Sequence, residues 1–333
     1  MKEALYWKKL KNNSVRCILC PHFCTIKENE RGKCNVRENK EGKLYSLVYG
    51  KPNSVAIDPV EKKPLNHFFP GTKTFSIGTA GCNLKCHFCQ NYELSQSKPE
   101  ELPFYEMPPE KVVEEALKAK CHSISYTYSE PTIFYEYMID TAKIARKKGL
   151  KNIFVTNGFI NPEPLNELCK YIDAAHVDLK GFTEEVYSKT CGARLKPVLK
   201  TLKLLKKNKI WFEVINLVIP GINDDMKKIK EMAEWLKKNI GENCVLHFSR
   251  FFPCYLMSNA KPTPIETLEK AKETAEKAGL HYIYVGNVSE EENTYCPKCK
   301  KLLIKRMHYS ILENNIEKGK CLFCKAVIAG EFI

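Results

Sequence analysis

Between residues 74 and 285 the chain alternates short β-rich runs with amphipathic helical stretches, and this alternation constrains the fold more than any other feature. Strands are expected at Thr74–Gly78, Ser123–Thr127, Asn152–Thr156, Ala174–Leu179, Trp211–Val218, Cys244–Phe248 and His281–Val285. Helices are expected between them at Pro108–Lys120, Thr132–Lys148, Pro164–Tyr171, Lys196–Lys206, Asp225–Asn239 and Ile265–Ala278, the fifth with Asp224 as its N-cap. Strands separated by helices pair in parallel, because a parallel neighbour needs a crossover. About seven such units suit a partial or complete parallel (β/α) barrel, an α/β fold. Residues 71–290 are assigned to that barrel, with a Cys-rich segment at 1–70 and a further Cys-rich module at 291–333. The boundaries fall near the Pro/Asn-containing stretch 50–71 and the acidic stretch 288–294.

The 333 residues include 16 cysteines, and the polar, Lys-rich stretch Met1–Asn13 lacks the apolar core of a secretory signal. No apolar run reaches the length of a membrane span. A cytoplasmic location is therefore expected, where clustered thiols act as metal ligands or redox groups rather than disulfides. Cys121, Cys169, Cys191, Cys244 and Cys254 are scattered and read as small buried apolar residues. The formal charge of +14 comes largely from lysines on helices that also carry Glu, the pattern of a solvated face. Nucleic-acid and membrane partners are not expected, and the sequence leaves oligomeric state open.

Cys82, Cys86 and Cys89 form a CxxxCxxC run directly after the first expected barrel strand. Three thiolates on one tight loop suit three irons of a [4Fe–4S] cluster and leave the fourth iron open to a ligand; electron carriers are normally closed by four cysteines. Zinc prefers four ligands. The run resembles the radical S-adenosylmethionine (SAM) superfamily. That resemblance implies a cluster whose open iron chelates SAM and whose electron cleaves the sulfonium to a 5′-deoxyadenosyl radical. It also implies that Phe88 packs near the adenine and that Glu130 receives the SAM amino group. Thr156, Asn157, Asp178, Lys180, Asn216, His247 and Arg250, all at expected strand ends, become further SAM-binding candidates.

Two groups flank this run. Cys17, Cys20, Cys24 and Cys34 suit zinc or a closed Fe–S centre. Cys296, Cys299, Cys321 and Cys324 form two CxxC knuckles of zinc-ribbon or rubredoxin type, holding zinc or iron. The stretches Asp58–Leu65, His67–Phe68, Gly81–Asn91 and His247–Phe251 resemble the AmmeMemoRadiSam-system radical SAM enzymes, related to pyruvate formate-lyase activating enzymes. An oxidoreductase that abstracts hydrogen from a protein or peptide is implied, reduced by a ferredoxin- or flavodoxin-like donor. A second reading keeps the chemistry but targets a small molecule or RNA; a third is a non-enzymatic metal-stapled or electron-carrier protein.

Overall fold

The computed structural model describes residues 1–288 and 292–332; residues 289–291, within the expected boundary at 288–294, and residue 333 lie outside the described residues. An eight-stranded sheet forms the body of the molecule. Its strands are β1 (Ser54–Pro59), β2 (Lys73–Gly78), β3 (Ser123–Tyr126), β4 (Lys151–Thr156), β5 (Ala174–Asp178), β6 (Trp211–Val218), β7 (Val245–Arg250) and β8 (Tyr282–Gly286). They pair in sequence order, parallel from β2 to β8, with β1 antiparallel on β2. No β1–β8 pairing occurs among the described residues, so the barrel is partial.

Seven strands match expectation to within one or two residues at their ends. The eighth, β1, lies inside the segment assigned to the N-terminal unit. It is antiparallel because the connection to β2 is one short 3₁₀ turn, Val60–Lys62, and a following loop rather than a crossover helix. That connection turns across the barrel, where Val60, Leu65 and Phe68 pack on Ile153 and Ala174.

The outer layer comprises α1 (Pro109–Lys118), α2 (Tyr135–Lys147), α3 (Pro162–Leu168), α4 (Glu184–Thr190), α5 (Leu195–Lys207), α6 (Met226–Asn239) and α7 (Ile265–Lys277). Each buries one stripe. On α5, Leu195, Val198, Leu202 and Leu205 recur at helical spacing and face the sheet. A fully buried leucine such as Leu202 contributes roughly 2 kcal/mol by apolar burial. The N-cap of α6 is Asp225, whose carboxylate accepts from Lys227 N; Asp224 Oδ1 instead accepts from Gly221 N at 2.9 Å and fixes the preceding turn. The short α4 was not expected. Its cap is Thr183, whose hydroxyl accepts from Val186 N at 3.2 Å.

Two small units flank the barrel. At the front, two three-stranded antiparallel sheets, Trp7–Lys9/Val15–Cys17/Thr25–Ile26 and Lys2–Glu3/Lys43–Ser46/Arg37–Lys40, carry the first four cysteines. This unit is tied to α2 by the buried Arg37–Glu136 ion pair at 2.9 Å. At the end, the antiparallel hairpin β9 (Leu302–Met307) and β10 (Ser310–Asn314) packs with the last four cysteines against Val245, Tyr282 and Tyr284 of the barrel's far edge.

Candidate active site

Parallel barrels gather functional groups at the C-terminal ends of their strands. There the chain encloses a cavity of about 830 Å³, toward the upper end of the range for ligand pockets. Cys82, Cys86, Phe88 and Cys89 form one wall, on the loop that leaves β2. Glu130, Thr156, Asn157, Asp178, Lys180 and His247 line the same space. Asn216 and Arg250 do not. Side chains alternate along a strand; on β6 the cavity is lined by Ile215 and Leu217, and on β7 by His247 and Ser249. Asn216 and Arg250 have the opposite parity. Asn216 donates to Leu179 O at 2.6 Å, and Arg250 Nε to Thr263 O at 2.8 Å.

The cysteine loop is held from several sides. Leu84 N donates to Cys82 Sγ at 3.3 Å, and Asn157 Nδ2 lies 3.8 Å from the same sulfur. Cys89 Sγ is 3.1 Å from Ser95 Oγ. The three sulfurs do not all lie within 4.8 Å of one another, unlike the four of the last cysteine group. Their spread, and donors directed at sulfur, fit the three-cysteine ligand set of an iron–sulfur cluster. Cys191, expected to be inert, lies beside Cys86, and the Lys180 charge acts on both thiols. Cys121, Cys169 and Cys244 are buried as expected; Cys254 is half-buried, with Sγ 3.5 Å from Phe88 O.

Glu130 has a different setting from the one expected. Oε1 accepts from Thr132 N at 3.0 Å, Thr132 Oγ1 at 2.6 Å and Thr156 Oγ1 at 2.7 Å, while Oε2 accepts from Asn157 N at 2.7 Å. Four donors match the roughly four acceptor sites of a carboxylate. Burial nevertheless raises its pKa above the ordinary carboxylate value. The geometry makes Glu130 a clamp between the ends of β3 and β4. Beside it, Ser129 presents a buried hydroxyl without a partner to the same cavity, on a loop whose Tyr128 has φ +69°.

A charged string crosses the cavity wall. Lys180 Nζ is 3.0 Å from Asp178 Oδ2, and Asp178 Oδ1 is 3.0 Å from His176 Nε2. His176 Nδ1 meets the Lys63 carbonyl. Burial opposes ionisation of Asp178, but Lys180 and His176 overcome it and hold the carboxyl well below the usual range. Burial likewise opposes the Lys180 charge, yet Asp178 and the facing thiols raise its pKa well above normal. Lys63 is buried, 2.5 Å from Asp58 Oδ2. Burial depresses its pKa to about 8, the Asp58 contacts only partly offsetting this. Glu61, Lys62, Lys63 and Pro64 all line the cavity.

The floor is a buried network that no local motif announced. Glu213 accepts from His247 Nε2 at 2.7 Å and from the backbone of Asn66 and His67. Glu292 lies 3.8 Å from His247 Nδ1 and accepts from Asn66 Nδ2 at 3.0 Å. Burial disfavours charge on His247, but the two carboxylates raise its pKa to about 9. Nearby, the Ala329 carbonyl accepts from His67 Nδ1, so Nε2 accepts from Tyr284 Oη at 2.6 Å; burial lowers this histidine to about 4. Arg306 of β9 reaches in to donate to Asn66 O and Thr294 Oγ1, both at 2.7 Å.

The last cysteine group is compact. Cys296, Cys299, Cys321 and Cys324 place their sulfurs all within 4.8 Å, with Cys296–Cys324 at 3.6 Å and Cys299–Cys321 at 3.8 Å. Zn–S bonds of about 2.3 Å arranged tetrahedrally put sulfurs about 3.8 Å apart. The group fits one tetrahedral zinc or iron ion.

The comparisons agree with this geometry. Residues 76–236 match the family model described as the radical SAM superfamily. An uncharacterized protein of Methanocaldococcus jannaschii is 48% identical over 97% of this chain and 98% of its own length. The pyruvate formate-lyase 1-activating enzyme of Escherichia coli is 23% identical over 60% of this chain and 87% of that protein. Among solved structures, a radical SAM methyltransferase from Sphaerobacter thermophilus superposes with a TM-score of 0.53 at 15% identity, covering 66% of this chain and 67% of that one. That likeness concerns the fold alone. No helix among the described residues is long and apolar enough to cross a membrane. With its three-cysteine loop at the mouth of a parallel partial barrel, this chain belongs to the radical SAM superfamily.

Proposed function

We propose that this chain is an activating-enzyme-like oxidoreductase that removes a hydrogen atom from a polypeptide. The observation that carries the reading is the cavity itself. One wall holds the cysteine triad; the mouth is bordered by Asn287 and Val288 after β8 and by His308 and Tyr309 at the β9–β10 turn. The space admits a cosubstrate beside the triad and a chain segment through the mouth. Distant likeness to pyruvate formate-lyase activating enzyme supports a polypeptide over a free metabolite.

Cys82, Cys86 and Cys89 would hold the [4Fe–4S] cluster, which with SAM bound supplies a one-electron reductive cleavage of the sulfonium. The protein's own groups do the rest. Ser129, with its unpartnered hydroxyl, is the candidate acceptor for the SAM amino group. Glu130 is a positioning residue that fixes Thr156 and Asn157 around it. Phe88 packs beside the Lys180 ammonium, 5.8 Å from the ring centre, and forms the apolar side of the nucleoside site. Lys180 and Lys63 offer cations to carboxylate or ribose oxygens. Asp178 holds the Lys180 ammonium and Asp58 that of Lys63, so binding requires little rearrangement. A ferredoxin- or flavodoxin-type donor in the cytoplasm would supply the electron.

The test is isotopic. The reduced holoprotein is given SAM and a perdeuterated soluble proteome, separated into polypeptide and small-molecule fractions. Deuterium should enter 5′-deoxyadenosine from the polypeptide fraction. Deuterium arriving only from the small-molecule fraction would contradict the proposed substrate class.

A further inference from the structure

The front cysteines differ from the last four in a way that bears on what they hold. Cys17, Cys20, Cys24, Cys34 and His22 line one enclosed pocket, together with Arg37 and Asn83. No three of those four sulfurs lie within 4.8 Å of one another, whereas the last four all do. A single tetrahedral ion needs sulfurs about 3.8 Å apart; a four-iron cluster spreads its cysteine sulfurs to roughly 6 Å. The pocket wall adds a second observation. Arg37 is 1% exposed, and its Nε has no hydrogen-bond partner although its other nitrogens are engaged by Glu136 and the Leu5 carbonyl. A buried donor without a partner is costly. Cluster sulfide or cysteine thiolate would satisfy it, and the guanidinium would offset the anionic charge of four thiolates.

The pocket abuts the catalytic loop. A Cβ on Gly81, the residue before Cys82, would lie 2.5 Å from Cys34 O, so the two cysteine segments touch and only glycine permits it. Asn83, the residue after Cys82, spans the remaining gap. Its carbonyl accepts from His22 Nε2 at 2.7 Å, and its side-chain oxygen accepts from Asn157 Nδ2 at 2.9 Å. Cys20 and Cys24 are partly exposed, while Cys17 and Cys34 are buried.

We propose that Cys17, Cys20, Cys24 and Cys34 hold a second four-iron cluster, closed by four thiolates, and that it is the electron entry to the catalytic centre. One electron leaves a reduced ferredoxin- or flavodoxin-type protein at the Cys20–Cys24 face, reduces this cluster by one unit, and passes beside Asn83 to the cluster of the triad. No bond breaks and no proton moves in that transfer. The relay rests on the triad holding a cluster; the iron content of the front group does not.

Two anaerobic measurements test it on the full chain. In a Cys82→Ala/Cys86→Ala/Cys89→Ala variant, the front group should retain about four iron and four sulfide per chain, with an EPR signal after dithionite that SAM does not perturb. Loss of all iron with about two zinc per chain would overturn the cluster. For the relay, a Cys20→Ser/Cys24→Ser variant should bind SAM and cleave it with dithionite within about twofold of wild type, and at least tenfold more slowly with reduced flavodoxin. Equal rates with flavodoxin would overturn the relay. Should that variant fail to fold, rapid-freeze EPR of the wild type mixed with reduced flavodoxin decides. The SAM-insensitive signal should appear first; prior reduction of the SAM-sensitive one would overturn it.

Discussion

The central triad and the last four cysteines use the same side chain to opposite ends. In the C-terminal module two hairpin knuckles draw four sulfurs into a shell that fits one ion and leaves no open position. At the C-terminal end of β2 three sulfurs stand farther apart on a cavity wall that also carries Glu130, Asp178, Lys180 and His247. The first arrangement compensates for a small core, since Leu303, Ile304, Ile316 and Ile328 are the buried aliphatics that the ribbon itself supplies. The second spends barrel rigidity on an exposed ligand set. Density of thiolates thus separates a staple from a reaction centre, and the Glu213–His247–Glu292 network is the seam between them.

Removing the staple should have the largest effect. Cys321→Ser, or chelation of the wild type, should unfold residues 292–332 and forfeit on the order of 10 kcal/mol of metal-coupled folding. Proteolysis and hydrogen exchange should report the opening while triad iron is retained. Simultaneous loss of the triad iron would break the comparison and make the two regions one cooperative unit.

The seam should respond next. The folded-state pKa of His247 lies near 9, above its unfolded value near 6.5. Its contribution is therefore fully present below pH 6.5 and is lost as pH rises through about 9, an effect of about 3 kcal/mol. His67, held neutral with a pKa of about 4, acts in the opposite direction and loses its contribution as pH falls from 6.5 toward 4. Denaturant melts from pH 6 to 10 should show the alkaline fall. His247→Gln should flatten it, and an unchanged slope would remove His247 from the account.

The smallest effect sharpens the triad side. Glu130→Gln keeps the shape but offers one acceptor oxygen for four donors, leaving Asn157 N or a threonine hydroxyl unpaired. A cost of roughly 1–3 kcal/mol is expected, with KM for SAM raised more than kcat is lowered and the C-terminal metal unaffected. A defect confined to kcat, with SAM affinity intact, would contradict a positioning role.

What the sequence made legible was local. Seven barrel strands and the three cysteine groups each advertise themselves through periodicity or spacing along the chain. Strand β1 did not, because its six residues end in Pro59 and follow Pro52-Asn53, a composition that reads as a loop. Asn216 and Arg250 failed for a sharper reason. Their position at a strand end was right, but a one-residue offset in parity sends a side chain to the opposite face. Glu130 was placed in the cavity, yet its engagement depends on Thr156 and Asn157, which the sheet brings beside it. The Glu213–His247–Glu292 network joins residues far apart in the chain, so only the folded barrel displays it.

The most direct test of the account is the nucleoside product. The iron-reconstituted protein, reduced with dithionite under anaerobic conditions and supplied with SAM, should release 5′-deoxyadenosine and methionine, and a Cys86→Ala variant should fall to background. S-adenosylhomocysteine as the main product would contradict hydrogen abstraction as the reaction, and no product from wild type with intact iron would contradict the assignment of the triad cavity as the reaction centre.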